Sequence, residues 1–199
     1  MSKMLWLRLV WVMLIAWFGD DVVPPQPVPM ALPPVVAPAV PPIRPSIPDG
    51  RKVSGTATAV HDGDTITMVA AGLKYQVRLN GIDAPELAQP YGPEARKALA
   101  ALVLWKKVTV LSMGVDKYGR TIGNIYSGRS QKGRGATINA QMVQDGWAWR
   151  YRQYSNSWAL MSHEANAQAH KLGLWVNTEK PEPPWVFRRK KPAVISPPK

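Results

Sequence analysis

Residues 74–86 read "KYQVRLNGIDAPE", and the order of polar and apolar side chains in this stretch decides the architecture. Successive side chains of a strand point to opposite faces. Tyr75, Val77 and Leu79 therefore share one face, and Lys74, Gln76, Arg78 and Asn80 the other. The stretch is a half-buried strand that carries Arg78 away from the apolar set. It closes on Asp83 and Glu86, and acids are scarce here: the chain has 25 Lys and Arg against 13 Asp and Glu, a net charge of +12.

Outward from this strand the same texture continues. "TATAV" (56–60) and "TITMVAA" (65–71) read as two preceding strands, with Asp62-Gly63 and Ala71-Gly72 at the bends. "GPEARKALAALVLW" (92–105) sets Ala95, Ala98, Leu99, Leu102 and Val103 at helical spacing, with Pro93 suited to a first turn. "KVTVLS" (107–112) and "RTIGNIY" (120–126) are two further strands flanking "GVDKYG". A short helix is expected near Asn139–Asp145, stopped by Gly146, and a longer one from about Ser157 to Leu172, stopped by Gly173. Five short strands with interposed helices predict an α+β fold, mainly β. Its natural form is a partly open five-stranded Greek-key barrel, a shape that often binds polyanions. Trp105, Trp147, Trp149, Trp158 and Trp175 are expected in the core or between helices and barrel, with base stacking by one of them as the alternative.

The flanks are of another kind. Residues 51–175 carry 16 basic and 8 acidic groups and residues 176–199 carry 6 and 2, whereas residues 1–50 balance at three of each. The excess of +8 and +4 suits nucleic acid or an anionic membrane surface. Lys3 and Arg8 precede an apolar run from Leu9 to Phe18. Ten residues rise only about 15 Å as a helix, short of a membrane's hydrocarbon core of about 30 Å. Residues 1–21 therefore read as a secretory signal or an uncleaved signal-anchor, with membrane association through residues 4–18, and they predict an exported protein, secreted, periplasmic or anchored facing outward. Residues 22–50 form a semi-rigid linker, for 11 of the chain's 20 prolines lie between 24 and 48. The folded body is expected over 51–177, monomeric, and a basic tail over 178–199, with Trp185 able to pack back. With no cysteine, disulfides and thiolate metal sites are excluded. His61, His163 and His170 are too scattered for a zinc site.

Acids recur in "HDGDT" (61–65) and "GIDAPE" (81–86), each at a strand–turn boundary. Turn acids can simply bond local backbone. Two aspartates, a backbone carbonyl and water also make a hard oxygen site suited to calcium. A divalent cation would turn a pocket that repels phosphate into one that attracts it. Arg78 beside it would be a phosphate clamp, since a guanidinium can bond two oxygens at once. "VDKYGRT" (115–121) presents Arg120 after a glycine, which a plain strand-entry turn explains equally well.

In their order and spacing, "DGDT" (62–65), "VRLNGIDAPE" (77–86), "YGPEA" (91–95), "DKYGRT" (116–121), "NAQMVQDGWAWRY" (139–151) and "EANAQAHKLGLW" (164–175) resemble the staphylococcal nuclease (thermonuclease) family over about Lys52 to Trp175. The resemblance implies a barrel of the oligonucleotide-binding (OB) type packed against three helices. It also implies calcium-dependent hydrolysis of DNA and RNA with little sequence preference, leaving 3′-phosphate ends. By that resemblance Asp64 and Asp83, with the Ala84 carbonyl, are calcium ligands and Asp62 a supporting acid. Glu86 is the base or water-orienting group, and Arg78 and Arg120 bind the scissile phosphate. Tyr118 and Tyr151 fall near the terminal phosphate and the base, with Tyr154 a rival to Tyr151. The hairpin "SGRSQKGRGAT" (127–137) is longer than in compact members, either a solvated loop or an auxiliary phosphate contact. The same fold also serves as a catalytically silent nucleic-acid-binding module, and a surface protein with a proline stalk is a third class. Neither needs Asp64, Asp83 and Glu86 together.

Overall fold

Val77 and Leu79, on the face assigned inward, are fully buried, as are Ile66 and Met68 of the strand before. Each such side chain contributes about 1.5–3 kcal/mol relative to exposure, enough to fix which face of a strand turns inward. The computed structural model describes residues 45–128, 136–177 and 180–190. The expected signal segment, nearly all of the expected linker, and residues 129–135, 178–179 and 191–199 lie outside the described residues. The chain divides into two units, Met1–Pro41 and Pro42–Lys199, and the account below concerns the second.

Strands β1 (Lys52–Val60), β2 (Thr65–Ala70) and β3 (Leu73–Leu79) form an antiparallel meander. After a two-residue strand β4 (Ile82–Asp83) and helix α1 (Gly92–Val103) come β5 (Lys107–Val115) and β6 (Thr121–Ser127). The barrel is closed in the order β1-β2-β3-β6-β5, with β5 returning to β1. A bulge between Ala57 and Ala59 lets β1 bend to serve both neighbours. All contacts are antiparallel except β3 with β6, where only Val77, Arg78 and Leu79 pair, with Thr121, Ile122 and Gly123.

Helix α2 (Ile138–Gln144) locks that short parallel seam. Thr137 caps it, accepting a bond from the Ala140 amide. Asn139, buried, accepts from the Ile125 amide at 2.9 Å and donates to the carbonyls of Asn80 and Gly123 at 2.9 and 3.1 Å. One amide side chain thus satisfies backbone groups on β6 and just beyond β3, which buried polar groups require. Helix α3 (Trp158–Ala169) follows the two-residue strand β7 (Trp149–Arg150), and α4 (Pro184–Lys190) ends the described chain.

The fold is the expected OB-type barrel, closed rather than partly open because β5 returns to β1, and the described residues hold a fourth α-helix beyond the three anticipated. The body also reaches back past residue 51. Ile47 is fully buried, its amide donating to Thr121 Oγ1 and its carbonyl accepting from Ser112 Oγ. Two of the tryptophans expected inside are not there: Trp105 is 71% exposed at the end of α1 and Trp158 is 75% exposed at the start of α3. Both open or close a helix, where the side chain projects past the packed stripe formed by Ala95, Leu99 and Val103 or by Leu160, Glu164 and Ala167.

Candidate active site

The two acidic turns meet because Gly63 has no side chain. A Cβ there would lie 2.5 Å from the Ala84 Cβ and 2.9 Å from that of Ala95. Contact this close seats the 61–65 turn directly on the Ala84 loop and on α1. Asp62 Oδ1 accepts the Asp64 amide at 3.0 Å and shapes the turn. Asp64 then accepts the Ala84 amide at 2.8 Å and the Thr65 hydroxyl at 3.1 Å.

Asp83 is fixed from the other side. It belongs to β4, whose Ile82 and Asp83 pair with Arg150 and Trp149 of β7. Buried Glu164 of α3 accepts the Arg150 amide at 3.0 Å, and the Tyr151 amide donates to the Gly81 carbonyl at 2.9 Å. Helix α3 thereby holds the small β4–β7 sheet, which holds Asp83.

Arg78 joins the two acids. Its Nη2 lies 3.0 Å from Asp64 Oδ2 and 2.9 Å from Asp83 Oδ1, and its Nη1 donates to the Leu79 and Ile82 carbonyls, both at 2.9 Å. Nη1 is thus held by two carbonyls and Nη2 is shared between two carboxylates, so phosphate could take Nη2 only by drawing it off them. Burial pushes the Asp64 carboxyl up to about 7 from 3.8, although Arg78 pulls it down; Asp62 adds to the rise. Asp83 is also raised, again by burial first, against the pull of Arg188 and Arg78.

This has a consequence for stability. A folded-state carboxyl raised from 3.8 to about 7 keeps a proton that the unfolded chain has released, so stability falls as pH rises across that interval. Melting temperatures of the chelator-treated protein should therefore decline between about pH 4 and 7. Asp64→Asn should flatten that decline; the same slope in both proteins would contradict it.

Glu86 stands at the rim, its side chain 35% exposed. Its loop lies on the start of α1, where a Cβ at Gly92 would be 2.0 Å from the Glu86 carbonyl oxygen. Arg120 is not drawn into the Asp64–Asp83 cluster. Its Nε pairs with Asp116 Oδ2 at 2.7 Å within its own turn, and its guanidinium lies over the exposed Tyr118 ring, 5.4 Å from the centroid. Burial raises the Asp116 carboxyl, but donors from the Arg120 backbone and side chain and the Tyr118 amide outweigh it and hold it below its ordinary value. Arg120 still borders the site, because the next residue, Thr121, pairs with Val77 beside Arg78.

Two residues enter the site that sequence reasoning left as part of a basic tail. Arg188 of α4 donates through Nη2 to Asp83 Oδ2 at 2.7 Å and through Nη1 to Asp83 Oδ1 at 3.2 Å and Glu86 Oε1 at 2.9 Å. Trp185, one helical turn earlier, stacks on Tyr151 with centroids 5.7 Å apart and planes 6° from parallel. Tyr151 also meets Tyr154, at 4.8 Å. The signal available was the i, i+3 spacing of Trp185 and Arg188 after a proline pair, which puts both on one helix face.

The donor set fits a hard cation. Among the described residues no group of three His, Cys, Asp or Glu side chains could hold a metal. What converges is two carboxylates with backbone around them, already bridged by guanidinium charge. Oxygen donors of this kind suit calcium, which takes carbonyls and water alongside carboxylates.

Known proteins carry the same arrangement of sequence. The family model for staphylococcal nuclease homologues matches residues 76–177. A micrococcal nuclease of Shigella flexneri is 39% identical over 150 residues, 72% of this chain and 85% of that protein. A Haemophilus influenzae protein described as an uncharacterized endonuclease is 38% identical over 133 residues, 66% of this chain and 71% of its own. One of the same description from Escherichia coli O157:H7 is 37% identical over 139 residues, 70% and 87% of the two chains.

Proposed function

The chain belongs to the family of staphylococcal nuclease homologues and is a nuclease, and on that premise we propose that it hydrolyses DNA and RNA with little sequence preference, dependent on calcium, leaving 3′-phosphate ends. The observation that carries the calcium reading is the convergence of Asp64 and Asp83 on shared positive charge. Those two acids and the Ala84 carbonyl would hold the ion, with Asp62 keeping Asp64 in place. When bound, calcium supplies the positive charge that draws a phosphate into an acidic pocket and offsets charge developing on it.

The chain's own residues do the rest. Arg78 turns Nη2 from the carboxylates to non-bridging phosphate oxygens, and Arg120 leaves Asp116 to reach the same phosphate. Glu86 orients a water and takes its proton as the oxygen attacks phosphorus. The bond to the 5′ oxygen breaks, and that oxygen takes a proton from solvent water as it leaves. Tyr118 and Tyr151 line the approach, with Tyr151 as the stacking surface for a base. The excess charge of the body and tail supports a polyanionic substrate. Export is proposed on residues 3–18 of the sequence alone, and the nuclease unit is proposed to act as a monomer.

Plasmid degradation, with and without chelator, tests this reading. Calcium should support cleavage, chelator should abolish it, and binding to DNA should survive in chelator. Magnesium should serve poorly, since it demands a tighter octahedron and holds its waters. Undiminished cleavage in chelator would refute the assignment of Asp64 and Asp83 to a metal.

A further inference from the structure

The tail helix α4 lies where reactants are needed. Arg188 takes both oxygens of Asp83 and one of Glu86, across more than a hundred residues of sequence. One guanidinium therefore caps both a carboxylate proposed to hold the metal and the one proposed to accept the proton. Trp185, on the same face of the helix, lies flat on Tyr151, the ring proposed to stack on a base. The helix is not loosely laid there. The Gln89 side chain donates to the Glu182 carbonyl just before the helix, and Trp185 meets Trp149 edge-on at 6.4 Å.

We propose that α4 is a tethered occupant of the active site, in which Arg188 fills the seat of the metal and Trp185 the seat of a base, so that calcium and nucleic acid must displace it. The proposal rests on the calcium-nuclease reading above and adds the regulation of that site. An Asp83 whose two oxygens are bonded to Arg188 cannot offer both to an ion, so the two cations compete. The contact is suited to displacement rather than permanent closure: the Arg188 side chain is 40% exposed while Asp83 is 1% exposed, and solvent weakens the arginine's hold. A short tether keeps the occupant at high effective concentration, so it reseats when the ion leaves. A competitor docked for all but a tenth of the time lowers apparent affinity about tenfold.

Calorimetric titration of the full-length chain with calcium, without nucleic acid, tests the competition, alongside hydrogen exchange of residues 185–190. Arg188→Ala should bind calcium on the order of tenfold more tightly than the parent. Arg188→Lys, which keeps charge but cannot span both acids, should fall between. In the parent, calcium should speed amide exchange across 185–190, and Trp185→Ala should speed it without calcium. Equal calcium affinity in parent and Arg188→Ala overturns the competition and leaves the metal reading standing. Weaker affinity in Arg188→Ala overturns it as well, and makes Arg188 a helper of metal binding. No calcium uptake by either chain sinks the metal reading and the competition with it.

Discussion

Glu86→Gln should lower turnover by about 10²–10⁴-fold, the usual worth of a general base, while leaving the melting temperature close to that of the parent. The substitution keeps shape and polarity and removes only the capacity to take a proton. Stability should hold because Glu86 sits at the rim, a third exposed, and its carboxylate partner is the half-exposed Arg188. Exposed pairs of this kind contribute about 0–1 kcal/mol. The loss should therefore appear in single-turnover cleavage at saturating calcium, with melting curves superimposed. If Glu86 serves only to anchor α4, the variant would instead cleave at least as fast as the parent.

Arg78→Lys and Arg120→Lys should each slow cleavage by on the order of 10²-fold or more, since a point charge replaces a fork that meets developing charge on phosphate. They should part company in stability. Arg78 serves four oxygens, two of them on acids that are buried. One ammonium cannot satisfy all four, and each buried acceptor left unmet costs about 1–3 kcal/mol. The loss should show as a lowered melting temperature. Arg120 is a quarter exposed, and the Asp116 carboxylate it would leave is also bonded by the amides of Tyr118 and Arg120. Its lysine variant should melt with the parent. Equal melting of both variants would mean that the Arg78 network adds nothing to the fold, and near-normal turnover of both would remove the arginines from the reaction.

What could be read in the sequence follows from range. The alternation at 73–79, the stripe of Ala95, Leu99 and Val103, and the stop at Gly146 are local patterns, and local patterns report on local structure. Asp64 and Asp83 could be expected together because each lies at a strand–turn boundary, and Gly63 marks the tight approach. The three-residue parallel seam was not legible, since nothing in "QVRL" or "RTIGN" signals a partner some forty residues away. Asn139 looks like any polar residue at a helix start, and its three backbone contacts exist only once the barrel is closed. Strands β4 and β7 are too short to show periodicity. Trp185 and Arg188 were visible as an aromatic and a basic residue, but their destination depends on the whole body being folded beneath them.

The seam between β3 and β6 also sets a schedule. Synthesis runs from the N-terminus, so Asp64, Arg78 and Asp83 leave the ribosome on an open meander, well before Thr121 can pair with Val77. Closure that waits on distant partners is slow, and here the amide that pins it arrives later still, at Asn139. A chain broken off before that point has the acids of the cluster without the clasp that aligns them. Unfinished copies should consequently be harmless to the nucleic acid around them, with hydrolytic competence reserved for nearly complete chains.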